Sequence, residues 1–230
     1  MCGRLSFVAS KNQIEQALPF VEIPPHLRIS YNIAPNQHTY VVANDTPTRL
    51  QNIAWGLVPS WWNGTHKPVR PINARAEGIA AKPSFRIPIR KQRCVVLADS
   101  FYEWRKSGRR KLPYRVFARD GRLLLMGGIW DIWHQAGSSY PHKSFAIVTT
   151  SANKELSYLH DRMPFLLLST EQVQLWLSDL PLEEVLAMLQ PAPDGWLRMY
   201  RVSDQVNNYQ FDDPTCHEPV PEDRDLFSQT

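Results

Sequence analysis

Arg93-Cys94-Val95-Val96-Leu97-Ala98-Asp99-Ser100-Phe101-Tyr102-Glu103-Trp104-Arg105 is the stretch that decides how this 230-residue chain folds. Its first half is a dense β-type run, which reads as a buried strand. Its second half is aromatic and leaves the core. Ser107-Gly108 and the stronger Asp120-Gly121 signal then mark two hairpin turns. They predict a meander of three strands at about 100–105, 112–118 and 122–130. Further strands are expected at 39–43 and 49–57 around an Asn44-Asp45 turn, at 144–151, and at 196–202. Helices are expected at 11–18 behind a Ser10 cap, at 77–81, and in the polar segment before His160. Two more are expected at 170–177, where Ser169 and Gln172 have capping-box spacing, and at 182–189. No repeat or linker breaks the pattern. One domain over 1–211 with an acidic, mobile tail over 212–230 is the simplest organisation.

Bulk properties remove whole classes of function. Hydrophobic content of 43% and charged content of 21% fit a globular protein with a real core. No apolar run approaches the roughly 20 residues of a membrane helix, and residues 5–10 are too short for a signal peptide. The cysteines Cys2, Cys94 and Cys216 form no C-x-x-C pair, so neither a disulfide framework nor a structural zinc site is expected. A reducing compartment, the cytoplasm, follows. No metal or cofactor is called for.

The net charge of +4 is unevenly placed. Residues 82–122 hold 13 of the 26 basic residues against three acids, Asp99, Glu103 and Asp120. They are interleaved with Phe85, Phe101, Tyr102, Trp104 and Tyr114. Cations that displace counterions and rings that stack on bases suit a nucleic-acid surface, while a solvated hairpin suits the same counts.

Candidate chemistry starts at Met1-Cys2-Gly3-Arg4. A small residue at position 2 favours removal of the initiator Met, leaving Cys2 with an α-amine and a thiol on adjacent carbons. Such an aminothiol condenses with an aldehyde to an imine, and the thiol closes a thiazolidine. With intrinsic pKa values of about 7.7–8.0 and 8.5, both groups are partly nucleophilic near neutrality. Glu103 sits among aromatics on an element leaving the core, the setting of a general acid or base, or of a partner for Arg105. Asn73 and Arg75 fall in a polar segment ahead of a short helix. Of Trp61 and Trp62, one can point inward on a strand and the other line a cleft.

Six blocks in one order carry a family resemblance: Met-Cys-Gly-Arg, Tyr-Asn-Ile-Ala-Pro (31–35), Trp-Gly-Leu-Val-Pro-Ser-Trp (55–61), Asn-Ala-Arg-Ala-Glu (73–77), Ala-Asp-Ser-Phe-Tyr-Glu-Trp (98–104) and Leu-His-Asp-Arg-Met-Pro (159–164). Val206-Asn207 with Asp213-Pro214 looks like a closing segment. Together they resemble the SRAP family, the SOS response-associated peptidases, which shield abasic sites in DNA. With the strand pattern, the resemblance implies an α+β fold: a single, mainly antiparallel, barrel-like β-sheet domain with peripheral helices. It implies that Cys2 attacks the aldehyde of an abasic sugar in single-stranded DNA and ends as a thiazolidine crosslink. Glu103 would manage protons, His160 would assist ring opening, and Asn73 would orient the reacting groups. Arg4, Arg75 and Arg162 would contact phosphate. Asn32, Pro35, Trp61, Trp62, Trp104 and Thr149 complete the implied DNA surface, with Pro35 among the residues that wedge bases apart. The segment 221–227 shows neither a partner motif nor a zinc-finger context, which points to a compact bacterial-type member. A monomer on single-stranded DNA, nucleoid-associated when engaged, is expected.

Two other readings use the same residues. Cys2, His160 and Glu103 could form a thiol peptidase acting on the Met1–Cys2 bond. A passive single-strand binder would leave Cys2 incidental.

Overall fold

The apolar density at 93–98 does become a strand buried along its whole length, and the rest of the chain is arranged around it. The computed structural model describes residues 2–64, 69–134, 137 and 140–221. The chain opens with β1 (Arg4–Phe7) and α1 (Lys11–Ala17). Ser10 caps this helix by accepting from the Gln13 amide, while Gln13 accepts from the Ser10 amide, so two orphan donors are satisfied together. Next come β2 (Ser30–Ile33), β3 (His38–Ala43), β4 (Leu50–Trp55) and β5 (Asn73–Arg75). Helix α2 (Pro88–Lys91) leads into β6 (Arg93–Ala98), β7 (Ser100–Ser107), β8 (Arg110–Ala118), β9 (Leu124–Trp133) and β10 (His142–Ser151). The short strands β11 (Arg162–Pro164) and β12 (Leu166–Leu167) precede α3 (Thr170–Leu177), α4 (Leu182–Ala187) and the last strand, β13 (Leu197–Arg201).

Five strands close into a barrel in the order β9, β6, β3, β4, β10, because β10 pairs with β4 on one side and β9 on the other. Strands β5, β11 and β12 extend its margins. A second sheet, ordered β13-β8-β7-β1-β2, packs on the barrel through Leu5, Phe7, Phe101 and Val116. Pairing between these strands is antiparallel except where β10 meets β4 and β5. The α+β, mainly antiparallel and barrel-like expectation is met.

Three local expectations fail for identifiable reasons. The Ser107-Gly108 signal does give a hairpin between β7 and β8, with Gly108 at φ 56°. Asp120-Gly121, however, joins strands of different sheets: β9 pairs with β6, and β13 takes the edge of β8. Gly127 and Gly128 suit β9 to the barrel. A Cβ there would come within 2.8 Å of Phe165 Cε1 and 2.9 Å of Cys94 Sγ, respectively. No helix forms at 77–81, because Gly78 takes φ 71° and turns the chain. The segment before His160 makes a single 3-10 turn, Leu156–Tyr158, before β11 is drawn into pairing with β10.

Residues 212–221 are not a free tail. Asp212 Oδ1 accepts from the Tyr31 amide at 2.6 Å, Asp213 caps the turn Pro214–His217, and Cys216 is buried with Tyr102 and Val202. These acids act as caps and acceptors, which a charge count cannot distinguish from a solvated run. The remainder of the expected tail, 222–230, and the expected cleavage at Met1 lie outside the described residues.

Candidate functional site

Strand β1 lies between β2 and β7, in register Arg4↔Tyr102, so pairing delivers the N-terminus beside the aromatic strand that carries Glu103. Cys2 is 1% exposed, with Sγ 4.0 Å from the Arg4 carbonyl. Asn73, at the start of β5, donates from Nδ2 to the Cys2 carbonyl at 2.8 Å. That donor is fixed because β5 runs parallel to β10, with Asn73 opposite Ile147. The Asn73 Oδ1 atom is buried with no hydrogen-bond partner among the described residues. Glu103 is 3% exposed, and its Oε1 accepts from the Trp104 amide at 3.2 Å. Burial first, and the Glu103 carboxylate second, push the Cys2 thiol well above the ordinary thiol range. Three elements distant in sequence therefore bring Cys2, Asn73 and Glu103 into one polar corner.

A second group adjoins it along β10. Thr149 is paired with Arg75 on one side and Pro164 on the other. Arg162 donates to the Thr149 carbonyl and hydroxyl and, at 2.6 Å, to Glu77 Oε1. The guanidinium holds the Glu77 carboxyl below the usual carboxylate range. Arg75 is exposed at the end of β5. His160 Nδ1 lies 2.6 Å from Asp161 Oδ1 and 3.0 Å from the Arg162 amide. It can donate to the first or accept from the second, not both. Among the described residues the imidazole makes no hydrogen bond to Cys2, Asn73 or Glu103.

Several expected DNA contacts are engaged inside the fold. Arg4 Nη1 donates to Asn32 Oδ1 at 2.7 Å and to the Val206 carbonyl at 2.6 Å. Asn32, 1% exposed, donates to the carbonyls of Val206, Asn208 and Phe211. Trp104 Nε1 donates to Asn207 Oδ1. Arg4, Asn32 and Trp104 thus pin the closing segment 206–211 against the sheet. Pro35 is half-buried in the turn after β2, and Trp61 is 59% exposed. Trp62 packs on Trp133 with ring centroids 4.7 Å apart; both Trp61 and Trp62 lie outside any strand, so strand alternation does not separate them.

Four of the five rings in the basic, aromatic segment are turned into the core, and only Trp104 is half-exposed. Phe85, Phe101, Tyr102 and Tyr114 are buried. Arg93 belongs to the core, donating to the carbonyls of Trp176, Ile89, Arg90 and Ser178. Arg115 is bound to Asp99 at 3.1 Å. Sequence reading also missed Glu77 as the partner of Arg162: only the register of β5, β10 and β11 reveals it.

Among the described residues no cluster of three or more His, Cys, Asp or Glu side chains could hold a metal ion, and the three cysteines are free thiols. No helix there is long and apolar enough to cross a membrane.

Residues 1–209 match the family described as SOS response associated peptidase (SRAP). The abasic site processing protein YoqW of Bacillus subtilis (strain 168) is 34% identical over 224 residues, covering 93% of this chain and 97% of that one. The abasic site processing protein HMCES of Gallus gallus is 31% identical, covering 84% of this chain and 67% of that one. A solved structure from Bacteroides thetaiotaomicron superposes with a TM-score of 0.84 at 27% identity, over 96% of this chain and 100% of the other. With its barrel, its second sheet and its N-terminal Cys-Gly-Arg delivered beside β7, the chain belongs to the SRAP family.

Proposed function

We propose that this protein processes abasic sites in DNA by recognising them in single strands and capping them covalently through Cys2. The observation that carries the reading is the corner itself, in which Cys2 is held by Asn73 and faces the charge of Glu103. Relatives named as abasic site processing proteins over nearly the whole chain support the substrate.

The chemistry follows from these groups. Loss of Met1 frees the α-amine of Cys2. The amine adds to the aldehyde carbon of the ring-opened sugar, giving a carbinolamine, and loss of water forms the C=N bond. The thiol then adds to the imine carbon, its proton passes to nitrogen, and the thiazolidine closes. One water leaves overall, and no oxidant is needed. A bare imine would be open to β-elimination and strand breakage, and the second bond removes that route. A thiol kept protonated at rest needs a base at the moment of addition, and Glu103 is the carboxylate that acts on it. Asn73 orients the terminus through the Cys2 carbonyl, and its unpaired Oδ1 can accept from the amine or the carbinolamine hydroxyl. His160 serves the sugar oxygen on ring opening, and Arg75 and Arg162 serve flanking phosphates. A thiol peptidase would need a ready thiolate, whereas burial pushes this thiol the other way.

The test is intact mass of the purified protein before and after incubation with a single-stranded oligonucleotide bearing one abasic site. Loss of Met1 together with a heat-stable adduct of summed mass, less one water, is expected. Loss of Met1 with no adduct would overturn the proposal.

A further inference from the structure

Beyond the reacting corner, the face of β7 that carries Glu103 continues into an aromatic pair that the chemistry above does not use. Side chains two residues apart on a strand share a face, so Arg105 follows Glu103 at about 7 Å. Tyr114 stands opposite Glu103 on β8. The Arg105 guanidinium lies 5.5 Å from the Tyr114 ring and 4.9 Å from the Tyr158 ring. The two tyrosines meet edge to face at 6.2 Å. Arg105 Nε is buried with no hydrogen-bond partner among the described residues, so the rings are its principal company there. Tyr114 is buried, but Tyr158 is 53% exposed. It ends the 3-10 turn Leu156–Tyr158, two residues before His160. An exposed ring is thus fixed from below by a cation and from the side by a buried ring that stands opposite Glu103. Past it, Lys106, Arg109 and Lys111 are exposed around the β7–β8 hairpin tip, a cationic continuation of the same direction.

We propose that Tyr158, backed by Arg105, is the stacking platform for the base next to the abasic position. The inference rests on the proposed reaction at Cys2, because that reaction places the sugar beside Glu103. One nucleotide step of an extended strand then carries the neighbouring base to the Tyr158 ring, and the phosphates beyond it to the hairpin tip. Stacking on a ring is indifferent to base identity but requires a base, so this site reads the presence of an intact neighbour. Arg105 lowers the freedom of the ring and deepens its attraction for the base through the cation on its far face.

The experiment separates this inference from the reaction. Binding is measured by fluorescence anisotropy on single strands carrying one stable tetrahydrofuran abasic analogue, flanked either by adenines or by further baseless residues. The wild type and Tyr158→Phe should bind the adenine-flanked strand about tenfold more tightly, and Tyr158→Ala should lose most of that ratio. An unchanged ratio in Tyr158→Ala, or no ratio in the wild type, overturns the inference. A Tyr158→Ala protein that is less stable yet keeps the ratio would show that the ring only packs on Arg105, and overturns it equally. In parallel, a true abasic strand is offered to the wild type and to Tyr158→Ala. Absence of an adduct in the wild type strikes the reaction at Cys2. An adduct in both proteins without a flank ratio strikes the platform alone.

Discussion

The barrel and the open sheet each bury a cysteine, and the two sites differ in everything except burial. Cys94 sits in β6 with its sulfur against Gly128, inside a strand with no exposed residue. Burial pushes its thiol up, and the charges of Lys143 and Asp45 act on it more weakly and in opposite directions. Cys2 is as deeply buried and is pushed up for the same first reason, but Glu103 adds to the shift and Asn73 grips its carbonyl. The barrel tolerates the buried cation Arg93 by giving it four backbone carbonyls. The open sheet holds Arg4, Asn32, Asp99, Glu103, Arg115 and His217 in part-satisfied networks. A closed strand ring has no loose end to offer chemistry, whereas a sheet ordered β13-β8-β7-β1-β2 places a chain terminus next to a central strand. Burial is therefore common to both thiols, and what sets Cys2 apart for the proposed reaction is Glu103 acting on its sulfur and Asn73 holding its carbonyl.

The sharpest way to break that contrast is to exchange the two sulfurs for hydroxyls. Cys2→Ser should abolish the heat-stable adduct, a loss of at least about a hundredfold, while a borohydride-reducible imine persists, because the amine remains. Cys94→Ser should leave the adduct rate within about twofold, at the cost of a polar group in an apolar site. Equal adduct yields from Cys2→Ser and the wild type, read by denaturing gel after heating, would sink the thiazolidine. Next in size is Glu103→Gln, which keeps the acceptor for the Trp104 amide and removes the base. Single-turnover adduct formation should slow by about a hundredfold, in the lower range for a positioned acid or base. A rate within twofold of wild type would take Glu103 out of the reaction.

The barrel should answer with stability instead of rate. Gly127→Ala sets a methyl against Phe165, a buried ring packed on Trp176 with centroids 5.2 Å apart. Overpacking of this kind costs about 1–3 kcal/mol, so urea unfolding should show an earlier midpoint with adduct kinetics at 25 °C unchanged. A variant as stable as wild type would mean that Phe165 gives way easily.

How much of this contrast was legible beforehand depends on the range of each cause. Strand β6 and helix α3 were readable because their signals are local: a dense apolar run, and Ser169 accepting from the Gln172 amide. The Asp120-Gly121 turn was equally local but misleading, since a turn signal does not say which strand will take the next edge. Asn73 and Cys2 meet across 71 positions, through a β5 of three residues that no periodicity can reveal. Only the resemblance of ordered motifs placed them together. Arg4 and Asn32 fit the motif, and the structure adds what no motif states, their bonds to the carbonyls of residues 206–211.

The smallest expected effect is an acid sensitivity of the open sheet. His217 packs edge-on to Tyr31 at 4.9 Å, with Nε2 3.7 Å from Asp99 Oδ2. Burial first and the Arg115 charge second push its pKa down from 6.5 to about 4, against the pull of Asp99. The folded state thus resists a proton that the unfolded chain takes at 6.5. Its stabilising contribution is complete above that value, is lost as pH falls from 6.5 towards 4, and changes no further below. The loss is on the order of 1 kcal/mol at pH 6. The Tyr200 hydroxyl donates to the His217 carbonyl, a bond that a side-chain substitution keeps. His217→Gln should therefore flatten the fall in urea midpoint between pH 7 and 5 relative to wild type. Hydrogen exchange over the same range should quicken in β7, β8 and β13 before β6, because the His217 side chain sits over the open sheet, whereas the barrel's own histidine of lowered pKa, His142, lies at the start of β10 and is shared by both proteins. Parallel pH slopes for the two proteins would remove His217 as the cause and leave the two regions alike in acid.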